Sequence, residues 1–206
     1  MFNRFNPIKS IKNTPQNGEL DLHDILKNSY SNKHKENING YKLDKELSNH
    51  NQQVYYNPEH KKLLVSVAGT NPYNLRDWGT DFYLGIGKLK DTNRYKEAKS
   101  IYDKAKNKYN PMQSTAVGHS LGSSIANYIT SGNDKSVGLD GGYTIGQTPR
   151  NNSKQYRTEG DIVSLLGANQ NNMTTLKSPS IRTGVGIVDA LRSHNVNNIS
   201  HNGILI

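Results

Sequence analysis

The chain has 206 residues, 33% of them hydrophobic, with a mean hydropathy of −0.81. That is enough for one domain with a real core, and no run approaches the roughly 20 apolar residues that cross a bilayer. The absence of cysteine excludes disulfides, thiolate nucleophiles and zinc–sulfur sites, and a net charge of +9 favours polyanions, either nucleic acid or an anionic membrane surface.

Residues 1–18 read as a flexible basic arm. Pro7 and Pro15 interrupt it, and Phe2, Phe5, Ile8 and Ile11 recur every third position with Arg4, Lys9 and Lys12 between them. Residues 19–206 read as a single domain. The pattern predicts a helix over 19–30, short strands over 41–47 and 53–56, a turn at 57–60, and a strongly apolar strand over 62–68 suited to a sheet interior. A long amphipathic helix follows over 91–110. Its apolar positions are Tyr95, Ala98, Ile101, Tyr102, Ala105 and Tyr109, its other face is lysine-rich, and Pro111 ends it. A strand over 113–117, a tight turn at 118–122, a helix starting at 123–130 and a glycine-laced strand over 136–145 come next. Residues 161–166 follow a further strand end. Strands alternating with helices predict an α/β domain with a mostly parallel central sheet and helices on both faces.

Gly118-His119-Ser120-Leu121-Gly122 matches G-x-S-x-G between an apolar strand and an amphipathic helix. A serine on such a turn sits on strained, crowded backbone, so the flanking positions favour glycine. The helix N-terminus beyond it offers an N–H and a partial positive charge to a developing oxyanion. Serine needs a base to take its proton, and the base needs a carboxylate to orient it. Downstream acids are Asp134, Asp140, Glu159, Asp161 and Asp189, and downstream histidines are His194 and His201. Asp161, on a turn beside an apolar run, is the preferred acid, with Asp140 the weaker candidate. His194 is the preferred base, with His201 in reserve.

Five ordered blocks of the chain resemble the class 3 lipases, the fungal triacylglycerol lipase type of α/β hydrolase. Leu63-Leu64-Val65-Ser66-Val67-Ala68-Gly69-Thr70 is similar to the family strand ending in RGT, and Arg76-Asp77-Trp78 with Asp81 to the acidic–tryptophan block that comes next. The serine turn resembles the family elbow. Tyr143-Thr144-Ile145-Gly146-Gln147-Thr148-Pro149-Arg150-Asn151 resembles YTFGxPRVGN with one residue inserted, and Asp161-Ile162-Val163 resembles NxxDxVP. The resemblance implies an α/β-hydrolase fold with Ser120, Asp161 and His194 as catalytic triad and the Thr70 and Leu121 N–H groups as oxyanion hole. The chain departs from the family at Ala68, where arginine is usual, and at Ser164, where proline is usual. Residues 71–77 are shorter than a helical lid, so a small variant with little or no lid is expected.

The expected function is a serine-dependent carboxylic ester hydrolase acting on lipid esters, acylglycerol or phospholipid, through an acyl-enzyme. The alternative is a catalytically degenerate protein of the same fold used for binding or structure. Tyr73, Leu75, Trp78, Phe82, Tyr83 and Leu84 are candidates for an apolar acyl pocket because they follow Thr70. No metal or cofactor is expected. Peripheral contact with anionic membranes is expected from the charge. Specific nucleic-acid binding is not, because helix-turn-helix pairing, zinc spacing and RNP-type aromatics are absent. The lack of cysteine and of a signal-type apolar stretch favours a cytoplasmic location.

Overall fold

The computed structural model describes residues 18–70, 87–143, 150–161, 163–165, 170–177, 193–199 and 203–206. Helix α1 (Leu22–Ser29) comes first, and Asp21 caps it by accepting the Asp24 N–H. Strands β1 (Asn37–Ile38), β2 (Tyr41–Asn49), β3 (Gln52–Asn57) and β4 (Lys62–Val67) then form an antiparallel meander. Helix α2 (Asn93–Tyr109) is capped by Thr92 and leads to β5 (Gln113–His119). Helix α3 (Leu121–Ile129), β6 (Lys135–Leu139), β7 (Ser153–Thr158) and β8 (Met173–Leu176) follow. A 3-10 turn at Val196–Ile199 comes after them. The strands form one eight-stranded sheet in sequential order, with β4 to β8 all parallel.

The period-2 alternation of the central strands divides the core. Leu63, Val65, Val67 and Ala116 point to α2 and α3, while Leu64, Val117 and Leu139 point to the face covered by α1 and Ile199. Both faces of β4 are therefore dry, which explains its unbroken apolar run. The sheet and its two helical layers are those of the expected α/β architecture.

Several boundaries differ from the sequence reading. Helix α1 starts at its aspartate cap rather than at residue 19. Helix α2 ends because Asn110 takes a left-handed cap conformation (φ 41°), one residue before Pro111. The strand expected over 136–145 is shorter. It stops at Leu139, because Asp140 has φ 50° and turns the chain out of the sheet. Residues 1–17, the 71–86 segment and His201 lie outside the described residues, so the arm and the acyl-pocket candidates Tyr73, Leu75, Trp78, Phe82, Tyr83 and Leu84 are not placed.

Candidate active site

The C-terminal ends of three adjacent parallel strands converge at one edge. His119, Leu139 and Tyr156 lie in register across β5, β6 and β7, so the residues just beyond them become neighbours. Crevices outside the carboxyl ends of parallel strands are the usual site location in open α/β sheets. Ser120 follows β5, Asp140 follows β6 and Asp161 follows β7.

Ser120 sits at φ 57°, ψ −128°, between the last residue of β5 and the first of α3, and its side chain is fully buried. This backbone region is costly for a residue with a Cβ, and strain there marks a functional hypothesis. The surroundings hold it in place. The Ser120 N–H donates to the Leu139 carbonyl at 2.9 Å, and the Ser120 carbonyl accepts from the Ser123 and Ser124 N–H groups. The flanking glycines have steric reasons. A Cβ on Gly118 would collide with the Gly122 carbonyl, and one on Gly122 with the Val67 carbonyl at the end of β4. Leu121 opens α3, so its N–H has no partner within the helix. Thr70 follows Gly69, and a Cβ built on Gly69 would lie 3.0 Å from that of Ser120.

His194 Nδ1 lies 2.8 Å from Asp161 Oδ1, with both side chains completely buried. The Asp161 carboxylate also accepts the Val163 and Ser164 N–H groups at 3.3 and 2.8 Å and the Ser164 hydroxyl at 2.5 Å. Ser164, a departure from the family pattern, thus gives the carboxylate an N–H that proline lacks. The loop carrying His194 is fixed by the Asn198 side chain donating to the Ser193 carbonyl, and by Ile199 in the core.

Burial alone would lower the His194 pKa. The hydrogen bond and charge of Asp161, with the charge of Asp140, outweigh it and leave it above the ordinary imidazole value. Nδ1–H donates to Asp161, so Nε2 presents a lone pair. His194 Nε2 and Ser120 Oγ are both buried and, among the described residues, without a hydrogen-bond partner, and the two are not bonded to each other.

Three further residues shape the site, and the sequence pointed to neither Tyr30 nor Arg94. Asp140, weighed only as a second-choice acid, accepts the Thr158 N–H at 2.5 Å and the Thr158 hydroxyl at 2.8 Å. Burial, then the Asp161 charge, pushes its carboxyl up to about 7. Tyr30, the C-cap of α1, accepts the Gly69 N–H at 3.0 Å and lies 2.7 Å from His119 Nδ1. Arg94, in the first turn of α2, donates to the Ala68 carbonyl at 2.7 Å. An arginine from another element therefore reaches the end of β4, where Ala68 replaces the usual arginine. Partners 89 residues apart, like Tyr30 and His119, leave no local signal.

His119, Asp140 and His194 each offer a ligand atom within 4.8 Å of one another. A cation there would compete with Thr158 for Asp140 and with Tyr30 for His119 Nδ1. Tyr30 Oη accepts the Gly69 N–H and shares a hydrogen bond with His119 Nδ1, which already engages that ring nitrogen. Burial and the neighbouring His194 keep His119 neutral. The group suits hydrogen bonding better than metal ligation.

No protein-family model matches the sequence, and no curated protein matches it. Among solved structures, the chain is similar to the Lip2 lipase of Yarrowia lipolytica, with TM-score 0.52, 15% identity, and 77% of this chain and 78% of that one covered. It is also similar to the Rhizomucor miehei lipase propeptide complex, with TM-score 0.44, 15% identity, and coverage of 63% and 53%. A third neighbour is a triacylglycerol lipase described as having a serine-protease triad at its catalytic centre, with TM-score 0.46, 14% identity, and coverage of 70% and 71%. The Lip2 match carries the fold: the chain has the α/β-hydrolase architecture.

Proposed function

We propose that the chain is a serine-dependent carboxylic ester hydrolase acting on lipid esters. The supporting observation is the joint occurrence of a buried serine on a positive-φ strand–helix turn and a buried histidine hydrogen-bonded at 2.8 Å to a carboxylate. In this reading His194 Nε2 takes the Ser120 proton as Ser120 Oγ attacks the ester carbonyl. Asp161 keeps the imidazole in the Nδ1–H tautomer and stabilises its charged form. The Leu121 and Thr70 N–H groups receive the oxyanion, each contributing about 3–4 kcal/mol to lowering the barrier. The alcohol leaves with the proton from His194, and water releases the acyl group by the reverse sequence.

A panel of p-nitrophenyl and acylglycerol esters tests this. Ser120→Ala and His194→Ala should each lower turnover by about 10⁴-fold or more with the fold intact. His201→Ala should leave turnover close to wild type. Residual Ser120→Ala activity within tenfold of wild type would refute the assignment, and a reversed histidine pattern would move the base to His201.

A further inference from the structure

A cleft of about 490 Å³ opens beside the site, with Tyr30, Gly69, His119 and His194 along its wall. Its walls are mixed: Tyr30, Ala68 and Val196 give apolar surface, and the remainder is polar. Lys27 and Asn32 border it from α1 and the following loop, and His50 and Asn51 from the β2–β3 turn. Asn195 and Asn197 border it from the loop carrying His194. The described residues lining it include neither aspartate nor glutamate. Side-chain amides and a lysine with no carboxylate among them make a surface that favours an anion rich in hydrogen-bond acceptors.

The wall carries one more sign. His119 is 4% exposed, and its Nε2 has no hydrogen-bond partner among the described residues. The other ring nitrogen, Nδ1, is already engaged by the Tyr30 hydroxyl at 2.7 Å, so Nε2 is the one left facing a ligand. A buried polar atom left unsatisfied costs about 1–3 kcal/mol, and a hydroxyl or phosphate oxygen of a molecule bound in the cleft would remove that cost. His194, the proton carrier of the proposed reaction, stands beside it, with the two ring centroids 4.8 Å apart. The part of a substrate seated here is therefore next to the group that protonates the leaving alcohol.

We propose that this cleft seats the alcohol half of the ester, and that this half is phosphorylated: the head group of a glycerophospholipid, held by Lys27 and the surrounding amides. The inference rests on the hydrolase reading and narrows it to phospholipid substrates.

Two measurements on the full chain test it separately from catalysis. In calorimetric titration, sn-glycerol 3-phosphate should bind at least about tenfold more tightly than inorganic phosphate or glycerol. Lys27→Glu should weaken that binding by about tenfold or more, the size of one lost and one repulsive charge contact. Lys104→Glu makes the same change of net charge on α2, across the sheet from α1, and should leave binding unchanged. In turnover, dihexanoyl phosphatidylglycerol should be cleaved with higher kcat/KM than dihexanoylglycerol, and Lys27→Glu should erase that preference through KM.

Equal weakening by both lysine variants, no binding of glycerol phosphate, or preference for the uncharged diester would overturn the inference. Wild-type cleavage of p-nitrophenyl butyrate separates the two claims. If that ester is cleaved and the cleft tests fail, only the head-group inference falls. If glycerol phosphate binds as expected and no ester is cleaved, the cleft stands as a phosphate-ester site and the hydrolase reading falls.

Discussion

His194 is held between two carboxylates of different character. Asp161 hydrogen-bonds the ring and is itself held by Ser164, whereas Asp140 is bound to Thr158 and lies close enough for its charge to be felt. Because Asp140 is raised to about 7, the native state holds its proton far better than the unfolded chain does. The resulting stability is fully present below the ordinary aspartate pKa and is lost as pH rises through about 7. Asp140→Asn removes this titration. The amide can still accept the Thr158 N–H and can donate to the Thr158 hydroxyl, and asparagine tolerates the positive φ. The variant should melt several degrees above wild type at pH 8 and show no such gain at pH 4. It should also move the acid limb of kcat/KM to lower pH, since one charge that raises the His194 pKa is gone. A thermal melting series with a matched pH–rate profile checks both, and a limb that stays in place would mean that Asp140 does not act on His194.

The elbow illustrates how far an element can be read from sequence. Gly118 and Gly122 were legible because two backbones approach each other there, and only glycine leaves the space. Gly122→Ala should therefore cost about 3 kcal/mol or more, measured by urea denaturation, because the obstacle is the backbone of β4 and cannot move aside. A loss below about 1 kcal/mol would show that the turn has slack. Strand β4 was legible for a similar reason, since dry faces on both sides demand an apolar run. Strands β7 and β8 carry little apolar signal of their own (Ser153-Lys154-Gln155-Tyr156-Arg157-Thr158 and Met173-Thr174-Thr175-Leu176), and the ladder defines them. In the site, the acid and imidazole singled out by order along the chain meet at 2.8 Å. Tyr30 and Arg94 escaped notice, and Asp140 and Ser164 were noted only as a weaker acid and as a departure from the family pattern, because polar side chains acquire meaning only from partners that the fold brings near.

At the scale of the molecule, the +9 charge is not spread as the helix pattern suggested. On α2, Lys99 pairs with Asp103, Lys106 with Asp134, and Lys108 with Asp44 and Glu46, while Lys96 and Lys104 are exposed. The lysine-rich face of this helix is thus largely compensated. No helix among the described residues is long and apolar enough to cross a membrane, so any membrane contact by a helix there would be peripheral. We propose such contact, with each free cation near an anionic bilayer contributing about 1 kcal/mol. Sedimentation should show more binding to phosphatidylglycerol vesicles than to phosphatidylcholine vesicles at low salt, and the difference should fall as salt is added. Equal binding to both would remove the proposal, and deletion of residues 1–12 measures what the arm contributes. The central claim is that Ser120 is an activated nucleophile, and a fluorophosphonate ester probes it most directly. Mass spectrometry of the treated wild-type chain should find one stoichiometric adduct, on the peptide containing Ser120, with Ser120→Ala unlabelled and His194→Ala labelled far more slowly. An unlabelled wild type, or an adduct on another residue, would contradict the account and leave the fold as a scaffold without this chemistry.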